Sequence, residues 1–198
     1  MNKLRIVNAQ IVNEGAINYG DILIKNNRIE NISHLINGCS NEKVIDIKGK
    51  LLLPGMIDAH VHFREPGLTH KGSLFTESRA AVSGGITSIM EMPNTIPAAI
   101  TNKILEEKFT LAKQHCLTNY SFYLGASNNN IKELQNIDIR KICGVKLFLG
   151  SSTGNLIVNS EEQIENIFKS IKIPITLHCE VDEIIKKNEH HAINKYGK

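Results

Sequence analysis

Leu51-Leu52-Leu53-Pro54-Gly55-Met56-Ile57-Asp58-Ala59-His60-Val61-His62-Phe63-Arg64-Glu65-Pro66-Gly67 is the stretch on which the reading of this chain turns. An apolar run ends in two histidines, and Glu65-Pro66-Gly67 follows with turn chemistry. In an extended strand, side chains two apart point to the same face, so His60 and His62 project together where the strand gives way to a loop. Imidazole nitrogen is a good zinc donor, and a neighbouring carboxylate or carbonyl commonly fixes the tautomer of each ring. Asp58 is placed for that supporting role rather than as a ligand. Taken alone, the pair is equally compatible with two strand-end histidines that only hydrogen-bond.

Upstream of this stretch the pattern is one of short β-type segments: Leu4 to Val7, Asp21 to Ile24, Arg28 to Ile32 and Lys43 to Ile47. Asn26-Asn27 is a hairpin signal, because asparagine tolerates the positive φ that tight turns demand. Residues 1–53 therefore read as a small antiparallel sheet. Downstream, strand candidates Gly55 to His60, Ile86 to Glu91, Tyr120 to Leu124, Gly144 to Leu149 and Ile173 to His178 alternate with helical patterns. The helices fall around Lys71 to Ser83, Lys103 to His115, Ile131 to Ile137 and Glu161 to Ser170, with another starting near Val181. Asn159-Ser160 offers an N-cap, and Glu161-Glu162 favour the first turn through the helix dipole. Alternating strands and helices argue for parallel βα units. An open doubly wound sheet is the alternative, but no Gly-x-Gly-x-x-Gly follows the first strand. The fold class is α/β, with 54–198 forming part of a (β/α)8 barrel of about five βα units.

Composition excludes several function classes. Hydrophobic residues make up 41% and charged residues 22% of the 198, and the formal net charge is only +3 with the lysines scattered, so nucleic-acid binding is not indicated. Cys39, Cys116, Cys143 and Cys179 are far apart, without a Cys-x-x-Cys pair, and read as buried or free thiols in a reducing compartment. The apolar N-terminal stretch is broken by Asn8 and Gln10, which is unlike a signal peptide, and no run reaches the length of a membrane span. The expectation is a cytoplasmic protein with a small-molecule substrate, leaving a homo-oligomer open.

Further motifs extend the reading. His60-Val61-His62-Phe63-Arg64-Glu65-Pro66-Gly67 is followed by Gly84-Gly85-Ile86-Thr87-Ser88 and Met92-Pro93-Asn94-Thr95, then by Gly144-Val145-Lys146-Leu147-Phe148-Leu149 and Leu177-His178-Cys179-Glu180. In this order the motifs closely resemble the dihydroorotases of the amidohydrolase superfamily, over essentially the whole chain. The resemblance implies reversible zinc-dependent hydrolysis of the cyclic amide of dihydroorotate to N-carbamoyl-aspartate, in pyrimidine synthesis. It implies His60, His62 and His178 as metal ligands, and Lys146, carbamylated by carbon dioxide, as a bridge between two zinc ions.

Each of these residues also has an ordinary reading. Lys146 by itself is a snorkelling or salt-bridged lysine, and His178 a satisfied core histidine. Burial in an apolar strand nevertheless suits Lys146 to carbamylation, which needs an easily deprotonated amine. Arg64 offers a planar fork for the substrate carboxylate, and Asn94 an amide donor, against a solvated loop arginine and a turn asparagine beside Pro93. Hydantoinases and allantoinases share the two-histidine strand but act on rings without that carboxylate, so Arg64 favours dihydroorotase over them. Cys179 is expected to pack away from His178. His70, His115, His190 and His191 read as surface or loop residues.

A complete barrel of this kind takes about 250 residues. The family's fourth histidine ligand and its aspartate base are therefore expected beyond residue 198, with no catalytic base within the chain, since Asp182 and Glu183 fall at a helix start. The chain is expected to be an N-terminal portion or a split gene product, inactive or weakly active alone. A non-catalytic dihydroorotase-like subunit supporting a partner enzyme is a further alternative, but it should have drifted at its ligands, and all four are in place.

Overall fold

The computed structural model describes residues 3–38, 40–150, 152 and 155–197. It divides into two compact units, Met1–Gly55 and Met56–Lys198. In the first, β1 (Lys3–Asn13) is the spine of a five-stranded sheet. It pairs antiparallel with β2 (Ala16–Lys25), which pairs antiparallel with β3 (Arg28–Ser33). β4 (Glu42–Asp46) and β5 (Leu51–Leu52) both lie parallel to β1. The sheet is thus mixed, a correction to the antiparallel expectation: strand direction is set by partners some 40 residues away, which no local pattern encodes.

Local chemistry accounts for the rest of this unit. Asn26 and Asn27 take φ of 50° and 63° and close the β2–β3 hairpin, as their side chains suggested. Asn8, which looked like an interruption, sits at φ 57° where the β1–β2 register shifts between Ile6 and Ala9. The strand bulges there and continues. Asn8 Nδ2 donates to Asp46 at 2.9 Å, and Ala9, Ile11 and Ile22 form the unit's small core.

In the second unit five parallel strands follow in sequence order: β6 (Met56–Val61), β7 (Ile86–Glu91), β8 (Asn119–Gly125), β9 (Gly144–Phe148) and β10 (Ile175–His178). The run of apolar residues from Leu51 to Ile57 is divided, Leu51–Leu52 belonging to the first sheet and Met56 onward to the second. Helices α1 (Leu74–Ser83), α2 (Asn102–His115), α3 (Ile131–Gln135) and α4 (Glu161–Ser170) connect the strands, and α5 (Asp182–Tyr196) follows them. This is a partial (β/α)8 barrel of five units preceded by a separate sheet. The helix starts follow capping rules: Ser73, Thr101 and Ser160 each accept a backbone N–H with the side chain. Leu74, Ile89, Leu105, Phe122, Leu124, Val145, Leu147 and Ile167 belong to the main core, and β9 is buried along its whole length.

Candidate active site

Sequential βα units bring the C-terminal ends of their parallel strands to one rim, which is where side chains distant in sequence can meet. β6 ends at Val61, its register with β7 shifting between Asp58 and Val61, so the strand carries an irregularity just where His60 projects. His60 Nε2 and His62 Nε2 approach to 3.2 Å, and His62 Nδ1 lies 2.8 Å from Asn94 Oδ1. With Asn94 Oδ1 accepting, the His62 proton sits on Nδ1 and its Nε2 lone pair turns toward His60. Asp58 does not support a ring. Its carboxylate accepts the backbone N–H of His60 at 3.0 Å, so the orienting role expected of it on the rings falls to Asn94.

Arg64 follows the pair at φ 70°, a backbone conformation unusual for a residue with a side chain. Its guanidinium donates to the Asn94 carbonyl at 3.3 Å, and its own carbonyl accepts from Leu68 N–H at 3.0 Å. Gly67, at φ 84°, could not be replaced: a Cβ there would stand 2.1 Å from the Ile96 carbonyl oxygen. Arg64, Asn94, Lys71, Thr95 and Asn155 line a cleft of about 600 Å³ beside the histidines.

Lys146, in the middle of β9, is 1% exposed, and its Nζ has no hydrogen-bond partner. Burial pulls its amine below the usual lysine range, opposed only by Cys179. Burial also lowers the pKa of His60, with Lys146 and His178 adding to the effect and Asp58 opposing it. For His62 burial again dominates, Asn94 opposes, and Arg64, His60 and Lys146 push further down. Both imidazoles are thereby held neutral, the form that donates to a metal.

His178, at the end of β10, lies in electrostatic reach of His60 but is turned elsewhere. Its Nε2 is 3.0 Å from Glu180 Oε1, and its ring stacks 6.0 Å from that of Phe148. Among the described residues no three His, Cys, Asp or Glu side chains cluster as a ready metal site. The structure thus joins His60, His62, Arg64 and Asn94 directly, sets Lys146 within their field, and leaves His178 on Glu180. Cys179 is exposed rather than packed, Cys116 and Cys143 are half-buried free thiols, and Cys39 lies outside the described residues. His70, His115, His190 and His191 are exposed, though the last three lie on helices.

The spacing of the histidine pair fits two donors to one zinc. Two nitrogen donors about 2.0–2.1 Å from a tetrahedral zinc stand about 3.3–3.4 Å apart, close to the observed 3.2 Å. The orphaned Lys146 amine supplies a buried, unpaired nitrogen in that field among the described residues.

Sequence reading did not single out two side chains that support this rim. Tyr123 on β8 donates its hydroxyl to the Ala59 carbonyl at 3.2 Å, holding the irregular end of β6. Lys108 on α2 pairs with Glu91 at the end of β7 at 2.7 Å, both side chains fully buried. The available signal was a lysine in the inward stripe Leu105, Lys108, Ala112 of an otherwise amphipathic helix.

Residues 49–194 match the model of the dihydro-orotase-like family. A dihydroorotase of Methanosarcina acetivorans is 34% identical over 189 residues, covering 93% of this chain and 40% of that protein. A dihydroorotase of Pediococcus pentosaceus is 32% identical over 200 residues, covering 98% of this chain and 45% of its own. In structure, the L-hydantoinase (dihydropyrimidinase) from Arthrobacter aurescens superposes with a TM-score of 0.92 at 28% identity, over 100% of this chain and 45% of that one. The chain therefore spans less than half the length of these relatives. With a family match across both the end of the first sheet and nearly all of the partial barrel, and the histidine pair at its rim, the chain belongs to the dihydro-orotase-like family.

Proposed function

We propose that this chain carries the substrate-recognition residues and half of the metal site of a dihydroorotase, a zinc-dependent cyclic amidohydrolase. The observation that carries the reading is the convergence of His60 and His62 Nε2 at 3.2 Å, with Arg64 tied to Asn94 beside them. His60 and His62 would hold the metal through Nε2, with Lys146 and His178 as further ligands. His178 would have to leave Glu180 to join them. Zinc, when bound, polarises a carbonyl and lowers the pKa of water toward neutrality.

The chain's own residues do the rest. Asn94 keeps the His62 proton on Nδ1, so the lone pair stays on the metal side. In its neutral form, which burial favours, the Lys146 amine can add to carbon dioxide, forming an N–C bond at the expense of one C–O π bond and releasing one proton. The product is a carbamate whose two oxygens are metal donors. Arg64 lines the cleft with a guanidinium whose N–H groups suit a carboxylate, and the Asn94 amide N–H adds a donor. Dihydroorotate and N-carbamoyl-aspartate both carry that carboxylate; on this reading the reaction belongs to pyrimidine synthesis and the protein to the cytoplasm. Asp58, the acidic residue beside the histidines, is held on the backbone N–H of His60, and the chain by itself is expected to turn over weakly or not at all.

A second reading, hydrolysis of hydantoin-like rings, is favoured by the fold likeness to the L-hydantoinase. Arg64 decides between them. Zinc-loaded chain should bind dihydroorotate in ligand-observed NMR, losing at least tenfold in affinity with Arg64→Ala, as expected for a charged hydrogen bond, while hydantoin binding stays unchanged. Folded protein that takes up no zinc, or binds hydantoin in preference to dihydroorotate, would overturn the reading.

A further inference from the structure

The Glu91–Lys108 pair is costly as a stability device, because two charges taken out of water recover little of their solvation. Both side chains are fully buried at a separation of 2.7 Å. Among the described residues neither Glu91 oxygen makes a further hydrogen bond of regular geometry, so the carboxylate is held by the ammonium. What surrounds the pair gives it a use. Val61 is the register partner of Glu91, and Met92 N–H donates to the Val61 carbonyl at 3.0 Å, which sets Glu91 level with the chain that leaves β6. Burial raises the Glu91 pKa, opposed first by Lys108 and then by the backbone N–H groups of Arg64 and Phe63. Lys108 Nζ meanwhile donates to the Met92 carbonyl at 3.2 Å and lies 4.9 Å from the centre of the Phe122 ring.

One buried ion pair therefore borders two segments of the candidate site. The first is the chain that leaves β6 beside Val61 and runs through His62 to Phe63–Arg64, where Arg64 must be kept at φ 70°. The second is Met92, two residues before Asn94. These are the segments that meet again above the pair, through His62 Nδ1 to Asn94 Oδ1 at 2.8 Å and Arg64 Nη1 to the Asn94 carbonyl at 3.3 Å. We infer that Glu91 and Lys108 are positioning residues, locking the backbone after His62 to the backbone before Asn94 so that the His62 ring, the Arg64 guanidinium and the Asn94 amide keep one mutual geometry. Its consequence for metal binding rests on the proposed site.

The test compares two double variants of the full chain. Glu91→Leu with Lys108→Met removes both charges and every acceptor, and replacing a buried pair by apolar side chains of similar size is often neutral for stability. Glu91→Gln with Lys108→Met keeps one amide oxygen able to accept from Phe63 or Arg64. Amide hydrogen exchange at Phe63 and Arg64, the nitrogen spectrum of the His62 ring and cobalt(II) affinity with its visible absorption are read in each folded protein.

With the leucine pair, exchange at Phe63 and Arg64 is expected to rise about tenfold or more while β8 and β9 stay protected. The His62 ring loses its single tautomer, and cobalt affinity falls about 10–100-fold, the range for loss of support behind a metal ligand. The glutamine pair recovers part of each. Wild-type exchange, ring tautomer and cobalt binding in the leucine pair would overturn the inference. So would failure of both doubles to fold, since the pair would then serve the fold rather than the loop. Folded wild-type chain without cobalt uptake would instead defeat the metal site, and the exchange and ring measurements would still decide the positioning role.

Discussion

Cys143 and Cys179 carry the same thiol in opposite settings. Burial pushes the Cys143 thiol up to about 11, with Ser121 and Tyr123 opposing through hydrogen bonds, whereas Cys179 is exposed beside His178. Since the thiolate is the nucleophile, iodoacetamide at pH 8 should label Cys179 in the folded chain and leave Cys143 unmodified, a difference that peptide mass spectrometry reads directly. The histidine pair gives a pH prediction at the same scale. His60 and His62 both sit below their ordinary 6.5 in the folded protein, so the unfolded chain binds more protons between the folded value and 6.5. Their contribution to stability is complete above about pH 6.5 and drains away as the pH falls through the folded pKa. Melting at pH 7.5 and 5.5 should show a drop for the wild type that shrinks in His60→Gln/His62→Gln; an equal drop would mean the two rings do not titrate as described.

Among the elements, the loops after β7 and β8 are joined by one side chain. Asn130, at the start of α3, is 7% exposed. Its Oδ1 accepts from Ser127 N–H, and its Nδ2 donates to the Ile100 and Gly125 carbonyls, each at 2.8 Å. Asn130→Ala strands one buried donor and leaves two carbonyls short, which should cost about 2–4 kcal/mol at the usual penalty for unsatisfied buried groups. Urea unfolding checks it, with a lower midpoint at unchanged slope; Asn130→Asp, which keeps the acceptor but loses both donors, should fare little better. Asn130 precedes a five-residue helix too short to hold itself, so its strength as an anchor comes from tertiary partners rather than helix propensity.

For the molecule as a whole, the candidate ligands lie on or directly after β6, on β9 and on β10, so metal binding reports on how the second unit is assembled. A metal that binds only the folded state at a hundred times its Kd adds about 2.7 kcal/mol. For a chain of this size that is roughly a 5–11 °C rise in Tm. Zinc added to the chain should produce this rise in scanning calorimetry, and His60→Gln/His62→Gln should abolish it. An unchanged Tm in the wild type would leave the pair as ordinary hydrogen-bonding histidines. No helix among the described residues is long and apolar enough to cross a membrane.

Much of this was legible in the residues, because it rests on local rules. Two-residue periodicity placed His60 beside His62, the Asn26-Asn27 turn chemistry placed the hairpin, and alternation of apolar runs with helical patterns placed the five βα units. Order along the chain was enough there, since sequential parallel strands also neighbour one another in space. Other features depended on partners far away in sequence. The parallel placement of β4 and β5 on β1, the bulge that carries β1 through Asn8, and the division of Leu51 to Ile57 between two sheets were decided by the fold. So were the Asn94 contact that orients His62, the turn of His178 onto Glu180 and the burial of Lys108 against Glu91. A side chain's partner across a strand or helix face depends on register and packing, and these exist only once the chain has folded.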